Sequence, residues 1–544
     1  MTRRRSLLVA SALAPLAACR PAAPASWSGS GGWVGAEVAR GHFMRDLKSG
    51  NLAAPALQRR AAVVVVGAGI AGLGAARALL RAGVDDVQVF DLEDQAGGNS
   101  RGHAIAGIAC PLGAHYLPVP GDDAVEVIEL LEDFGLRRTE HGQPVYDERT
   151  LCHSPQERLY IDGLWREGLL PPLDALPAAE RAATLADYRR FAAIVAAAGA
   201  GHAYAIPTAR SAWSAAHDAL DRVTFAQWLD EQGLRAPALH WYLDYCCRDD
   251  YGAGAAQVSA WAGLHYFASR HGFRAPGDAG DERDGLLTWP EGNAWLSRRL
   301  AAPLGPRFHP AMVGLRVVEG RHDVAVDLWN AALQRVERWS APQVVLALPL
   351  FIAARLLAAP PAALVEAVAA MRHAPWLVAN LHLVSALTDR PGAAPSWDNV
   401  MYRSPTLGYV DATHQSLLPY AGPTVLSAYW ALGGDTLAQL AQQRARLLNE
   451  PWSAWSRAVV QDLARVHPDL PAKLKQVDLM RYGHAMSIPV PGLRSSAALC
   501  SLAALRRRVH FAHTDLSAYS VFEEAMYQGT RAATQVLRRL ISAP

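Results

Sequence analysis

The chain has 544 residues, about three times the usual single-domain length, and 51% of them are hydrophobic, with 16 Trp and 16 Tyr; it can bury one large discontinuous core or two to three smaller ones, and disorder as its main state is excluded. The formal charge is +2, from 52 basic and 50 acidic residues, and Arg3, Arg4 and Arg5 supply three of the positive charges, so the chain beyond residue 18 carries −1. That leaves no basic surface for a nucleic acid.

The N-terminus is basic, then apolar from Leu7 to Ala18, then small before Cys19, the pattern of a removable export signal. The apolar run falls short of the roughly 20 residues that span a bilayer. The arginines resemble a twin-arginine signal, and Leu16-Ala17-Ala18-Cys19 resembles a bacterial lipobox. Together they imply an exported, periplasmic or outer-face lipoprotein whose membrane contact is a lipid on Cys19; an ordinary secretory signal with an incidental cysteine is the alternative. Residues 19–58, rich in Pro, Ala, Ser and Gly, are expected to form a flexible tether, and the folded body to begin near Arg59. Cys110, Cys152, Cys246, Cys247 and Cys500 show no metal-ligand spacing, so no metal site is expected, and one incidental disulfide stays open.

The run Ala61–Val66 reads as a strand buried on both faces and leads into Gly67, Gly69 and Gly72, a G-x-G-x-x-G turn at the start of a helix. Such glycines allow a tight turn, close approach of backbone to a pyrophosphate, and close helix packing. Val87–Phe90 reads as the next strand, and Asp91 closes it 19 residues after Gly72. A carboxylate there accepts ribose hydroxyls and repels a 2′-phosphate, so FAD or NAD is expected rather than NADP.

The segment after Asp91, with Gly97-Gly98, resembles the second cofactor-contacting segment of the flavin-containing amine oxidase family, which selects FAD. The family places an arginine directly after the two glycines; here Asn99 and Ser100 precede Arg101, the residue assigned to the pyrophosphate region. By the same resemblance Gly113 and Ala114 bring backbone to the flavin ring, and His115 lies beside it. Val313 holds the adenine through its backbone, and Asp515 meets the ribityl or pyrophosphate region. The helix beginning near Phe522 directs its N–H groups at the ring. The implied fold is α/β: a discontinuous Rossmann-like FAD-binding domain (residues 59–150, 285–350 and 480–544) with an α+β substrate domain (151–284 and 351–479).

The resemblance implies hydride transfer from the carbon beside an amine nitrogen to FAD, with polyamines favoured as substrates and oxygen or a quinone as electron acceptor. His115, Tyr482 and His484 are the candidate catalytic residues. Asp249 and Asp250, with Asp244 nearby, read either as an anchor for a distant ammonium or as a solvated helix face, and Trp289 as a cavity wall or core. Two family features are missing: none of the three lysines (Lys48, Lys473, Lys475) falls where the family keeps one beside the flavin, and Val521 stands where a cage tyrosine is expected. A flavin-dependent C–C desaturase or isomerase of a lipid or carotenoid, and a non-catalytic flavin redox lipoprotein, are the alternatives.

Overall fold

The computed structural model describes residues 29–46, 53–152, 156–200, 203–277, 285–415, 422–505 and 507–541; the expected export signal and Cys19 lie outside them. A five-stranded parallel sheet runs in the order Phe308–His309, Val87–Phe90, Val63–Val66, Gln343–Leu346, Val509–Phe511. Its central strand is four valines. Val63 and Val65 enter one hydrophobic core and Val64 and Val66 another, which is why the segment shows no polar alternation. The glycine turn leads into the helix Ile70–Arg81, which packs on the C-terminal helix Phe522–Ile541. They cross closely because Gly529 lacks a side chain: a Cβ there would stand 2.1 Å from Ala71 O.

The second large layer is an eight-stranded sheet in the order Ser30–Trp33, Leu474–Ser487, His373–Leu383, Thr424–Ala431, Gly408–Asp411, Asp398–Met401, Glu157–Ile161, Leu164–Glu167. His373–Leu383 is buried at every position. Helices Ala178–Ala198, Pro237–Tyr251 and Ala260–Tyr266 share an aromatic-rich core with this sheet that includes Tyr188, Phe191, Phe225, Trp261 and Phe267. Among the described residues no helix is long and apolar enough to cross a membrane, and all five described cysteines are free thiols.

Two sequence expectations are corrected. The tether is not uniformly flexible, because Ser30–Trp33 adds a parallel strand to Gln476–Leu479 and Val38–Asp46 is helical. Its glycines serve proximity: Gly31 has φ +142°, and a Cβ there would lie 1.8 Å from Val477 O. From this edge the segment straps across to the loop after Asp91. Val34 N donates to Leu479 O at 2.8 Å, Arg40 Nη1 donates to Leu92 O at 3.0 Å and Asp94 Oδ1 at 2.8 Å, and Phe43 stacks on Trp329. The second correction concerns residues 480–487. They were assigned to the cofactor domain but continue the strand Leu474–Ser487 of the eight-stranded sheet.

Candidate active site

The glycine turn is shaped by contacts within the protein as well as by room for a ligand. Gly67 has φ +103°, and a Cβ on Gly72 would stand 1.9 Å from Gly67 O. Gly69, at φ −68°, meets only Gly98 Cα, at 3.8 Å, and caps the helix without a side-chain bond. The first-turn N–H groups therefore point at an uncapped helix start, beside Gly97 and Gly98, both at positive φ. Asp91 accepts from Ala68 N at 2.6 Å through Oδ2 and from Glu93 N at 2.9 Å through Oδ1. Each carboxylate oxygen keeps a second lone pair for a hydroxyl, while burial pushes the Asp91 pKa up. Its carbonyl accepts from Met312 N at 2.8 Å, which sets Val313, at the start of its strand, beside the same loop.

Arg101 takes a different part from the one expected. Its Nε donates to Gly98 O at 2.9 Å, its Nη1 to Gly35 O at 2.6 Å, and it pairs with Glu93 at 3.4 Å. It ties the glycine pair to the N-terminal strap. Asp515 is fully buried: Oδ2 accepts from Leu350 N at 2.8 Å, and Oδ1 lies 3.0 Å from His373 Nε2 and 3.3 Å from His513 Nδ1. These partners hold its pKa well below the usual carboxylate range against the opposing effect of burial.

Beyond the glycines lies a cavity of about 150 Å³ lined by Gly113, Ala114, His115, Trp376, Tyr482 and Phe522, among others. Its wall holds buried polar atoms without partners among the described residues: Trp376 Nε1, Asn293 Oδ1 and Glu523 Oε2. Buried polar groups are normally satisfied, so this set suits an occupant with polar groups of its own. Tyr482 donates to Leu112 O at 3.0 Å at this wall. His484 is a correction: it lines neither cavity, since it packs at 4.7 Å on Phe351 and 6.0 Å from His373. A register irregularity between Ala374 and Trp376 separates its surroundings from those of Tyr482.

A larger chamber of about 410 Å³ adjoins the first, and His115, Tyr116, Asp249 and Tyr429 line both. His115 stacks on Tyr429 at 4.1 Å and on Trp397 at 5.4 Å, and burial pulls its pKa down to about 3. It is a neutral wall and a weak base. Asp249 is the stronger proton acceptor at neutral pH, since burial and then the charge of Asp250 raise its pKa to about 7. Asp250 is 5% exposed and accepts from Tyr519 Oη at 2.5 Å, so the solvated-face reading of this pair is overturned. Asp244 faces outward, accepting from Ala255 N and pairing with Arg248. Trp289 is 5% exposed and belongs to the core.

Sequence reasoning missed the chamber's far wall. Glu157 and Asp398 occupy paired positions on neighbouring parallel strands and both line the chamber. Burial first, then Asp249 and Glu157, push the Asp398 pKa well above its ordinary value. An aspartate directly after a tryptophan at the start of a strand, as in Trp397-Asp398, was the available signal.

Residues 70–537 match the family model of the flavin containing amine oxidoreductases. The chain belongs to this family. The family is flavin-dependent, and the protein is an FAD-dependent oxidoreductase. A putrescine oxidase of Kocuria rosea is 30% identical over 170 residues, covering 31% of this chain and 30% of its own length. A tryptophan 2-monooxygenase of Agrobacterium tumefaciens is 34% identical over 114 residues, 20% of this chain and 14% of its own length. The chain thus matches less than a third of either relative. Whole-chain likeness is structural: cyclohexylamine oxidase of Brevibacterium oxydans superposes with TM-score 0.63 at 20% identity, covering 88% of this chain and 99% of that one. A fatty acid isomerase from P. acnes gives 0.60 at 15%, covering 87% and 98%. FAD fits the residues present. The glycine turn and Asp91 suit its pyrophosphate and ribose, and the smaller cavity, with its unpartnered polar atoms and the helix start at Phe522, suits its ring.

Proposed function

We propose that this oxidoreductase oxidises the C–N bond of an aliphatic amine carrying a second cationic nitrogen. The observation that carries this reading is the chamber beside the ring cavity, with Asp249 at the junction and the Glu157–Asp398 pair on the far wall, among Tyr242, Tyr245 and Trp397. Burial and the neighbouring acids push Asp398 toward its neutral form, and a bound cation offsets that by favouring the charged carboxylate. Asp249 accepts a proton from the reacting ammonium, freeing the nitrogen lone pair. FAD supplies the acceptor for the hydride that leaves the adjacent carbon. The product iminium takes up water to give an aldehyde and a free amine. The aromatic walls exclude bulk water and meet the cationic chain through their faces. Among the described residues, four acids, Glu157, Glu167, Asp249 and Asp398, against one arginine, Arg274, line the chamber, which disfavours a fatty carboxylate and with it the isomerase reading.

The test is an anaerobic visible spectrum of the holoenzyme with putrescine, spermidine, a simple monoamine and an amino acid added in turn. Diamines are expected to bleach the flavin band at the lowest concentrations. Glu157→Gln with Asp398→Asn is expected to raise the diamine concentration needed by about tenfold or more and to leave the monoamine response little changed. Bleaching by the amino acid alone, or by none of the four, would sink the reading. We also propose export and lipid attachment at Cys19, supported by residues 1–19 of the sequence; a Cys19→Ala form that stays in the membrane fraction would refute the attachment. Oxygen or a quinone is the proposed electron acceptor.

A further inference from the structure

Helix Ala260–Tyr266 runs into a wider turn, Phe267–His271, closed by a bond from Gly272 N to Phe267 O at 2.7 Å. That is π-turn spacing, common where a helix is bent to serve a site. Arg270 sits in this turn with its side chain only 10% exposed, and its Nη2 donates to Glu523 Oε1 at 2.5 Å. Among the described residues that line the ring cavity, Arg270 is the only arginine or lysine.

A buried guanidinium is costly to desolvate, and its carboxylate partner usually meets it through both oxygens. Here Glu523, 3% exposed, engages through Oε1, while Oε2 is buried without a partner among the described residues. Arg270 and Glu523 both line the ring cavity, so the pair brings to its wall a cation and a carboxylate with one unpartnered oxygen. The edge of a flavin ring presents carbonyl oxygens and a ring N–H, which complement both. Glu523 also lies in the first turn of Phe522–Ile541, so the positive helix end and the guanidinium act on the same space.

We propose that Arg270, held by Glu523, is the ring-side cation of this oxidoreductase. It lies against the FAD ring and stabilises the negative charge the ring gains with a hydride. The inference rests on FAD occupying the ring cavity and is independent of which amine is oxidised. Sulfite is therefore the probe. Its sulfur lone pair forms an N–S bond to the oxidised ring, leaving negative charge on the ring without any amine, oxidant or reductant.

The experiment titrates wild-type holoenzyme, Arg270→Lys, and the neutral pair Arg270→Met with Glu523→Gln with sulfite, and measures the flavin potential against a reference dye. The neutral pair is expected to bind sulfite about tenfold more weakly, with a two-electron potential lower by about 30 mV, the same factor of ten. Arg270→Lys should stay within about threefold of wild type. A yellow, folded neutral pair with wild-type sulfite affinity and potential would overturn the proposal, as would Arg270→Lys behaving like the neutral pair. If the neutral pair does not retain FAD, Glu523→Gln alone decides: removing the counter-charge should tighten sulfite binding, and weaker or unchanged binding refutes the assignment. Failure of the amine reading would leave these sulfite results untouched.

Discussion

Gly69 and Gly72 stand three positions apart in one motif and answer to different constraints. A methyl group on Gly72 collides with backbone at 1.9 Å, whereas one on Gly69 meets nothing closer than 3.8 Å. Gly72→Ala is therefore expected to destabilise the apoprotein by a few kcal/mol, on the order of an overpacked core. Gly69→Ala should leave the apoprotein's thermal midpoint in place and weaken FAD retention, because its methyl group occupies space needed only when a pyrophosphate approaches. Equal FAD affinity in Gly69→Ala and wild type would exclude that approach. Asp249 carries a second expectation at this scale. Flavin reduction by amine should rise with pH through about 7 as Asp249 ionises, and Asp249→Asn should lose both that rise and about 100-fold in rate. Rapid-mixing spectra across pH 5.5–8.5 measure both.

The elements of the cofactor side were readable because each carries a local signature: four valines, a glycine turn, an acid at a strand end. The apolar runs Trp376–Leu383 and Thr424–Trp430 lie in adjacent strands, His373–Leu383 and Thr424–Ala431. What escaped notice depends on pairing between distant segments. Nothing local to Glu157 announces Asp398 beside it, and nothing local to Arg270 announces Glu523. The N-terminal strap was misread because glycine and serine suit both a flexible linker and a strand pressed against a neighbour's backbone. Gly31→Val separates the two: with a Cβ at 1.8 Å from Val477 O, it should detach the strap. Residues 29–46 should then become open to proteolysis and FAD should be lost faster, since Arg40 no longer braces the loop after Asp91 and Arg101 loses its bond to Gly35 O. A strap that stays protected in Gly31→Val would show that the strand is dispensable.

Across the whole molecule, buried titratable groups set opposing pH trends. Burial lowers the folded-state pKa of His115, His265 and His484 to about 3 and that of His467 and His510 to about 4. The unfolded chain binds these protons first as pH falls below about 6.5, so stability present at pH 7 is lost on acidification. Asp249 and Asp250, raised to about 7 and about 6, act the other way. They hold protons in the folded state that the unfolded chain releases above about pH 4, so their contribution declines as pH rises from 4 to 7. Burial raises Asp91, Glu93, Asp221, Asp398 and Glu524 as well, so the decisive comparison is between wild type and a variant that lacks one of these acids. Between about pH 6.5 and 4 the thermal midpoint of Asp249→Asn should fall more steeply, or rise less, than that of the wild-type apoprotein, because the variant lacks one of the opposing contributions. A midpoint that falls less steeply, or rises more, in that variant would contradict the assignment of Asp249.

The N-terminal strand Ser30–Trp33 is completed by residues 476–479, and the sheet begun by Val63–Val66 is closed by Val509–Phe511. The Ser30 hydroxyl bonds Lys475 O across 445 residues of chain. Contacts of such high order cannot form until the later segment has been synthesised. Synthesis must pass residue 541 before the glycine turn acquires the helix Phe522–Ile541 that packs behind it. Capture of FAD thus waits for a segment more than 400 residues beyond the glycines, and a chain cut before Phe522 has every phosphate-binding glycine yet no closed site to use them.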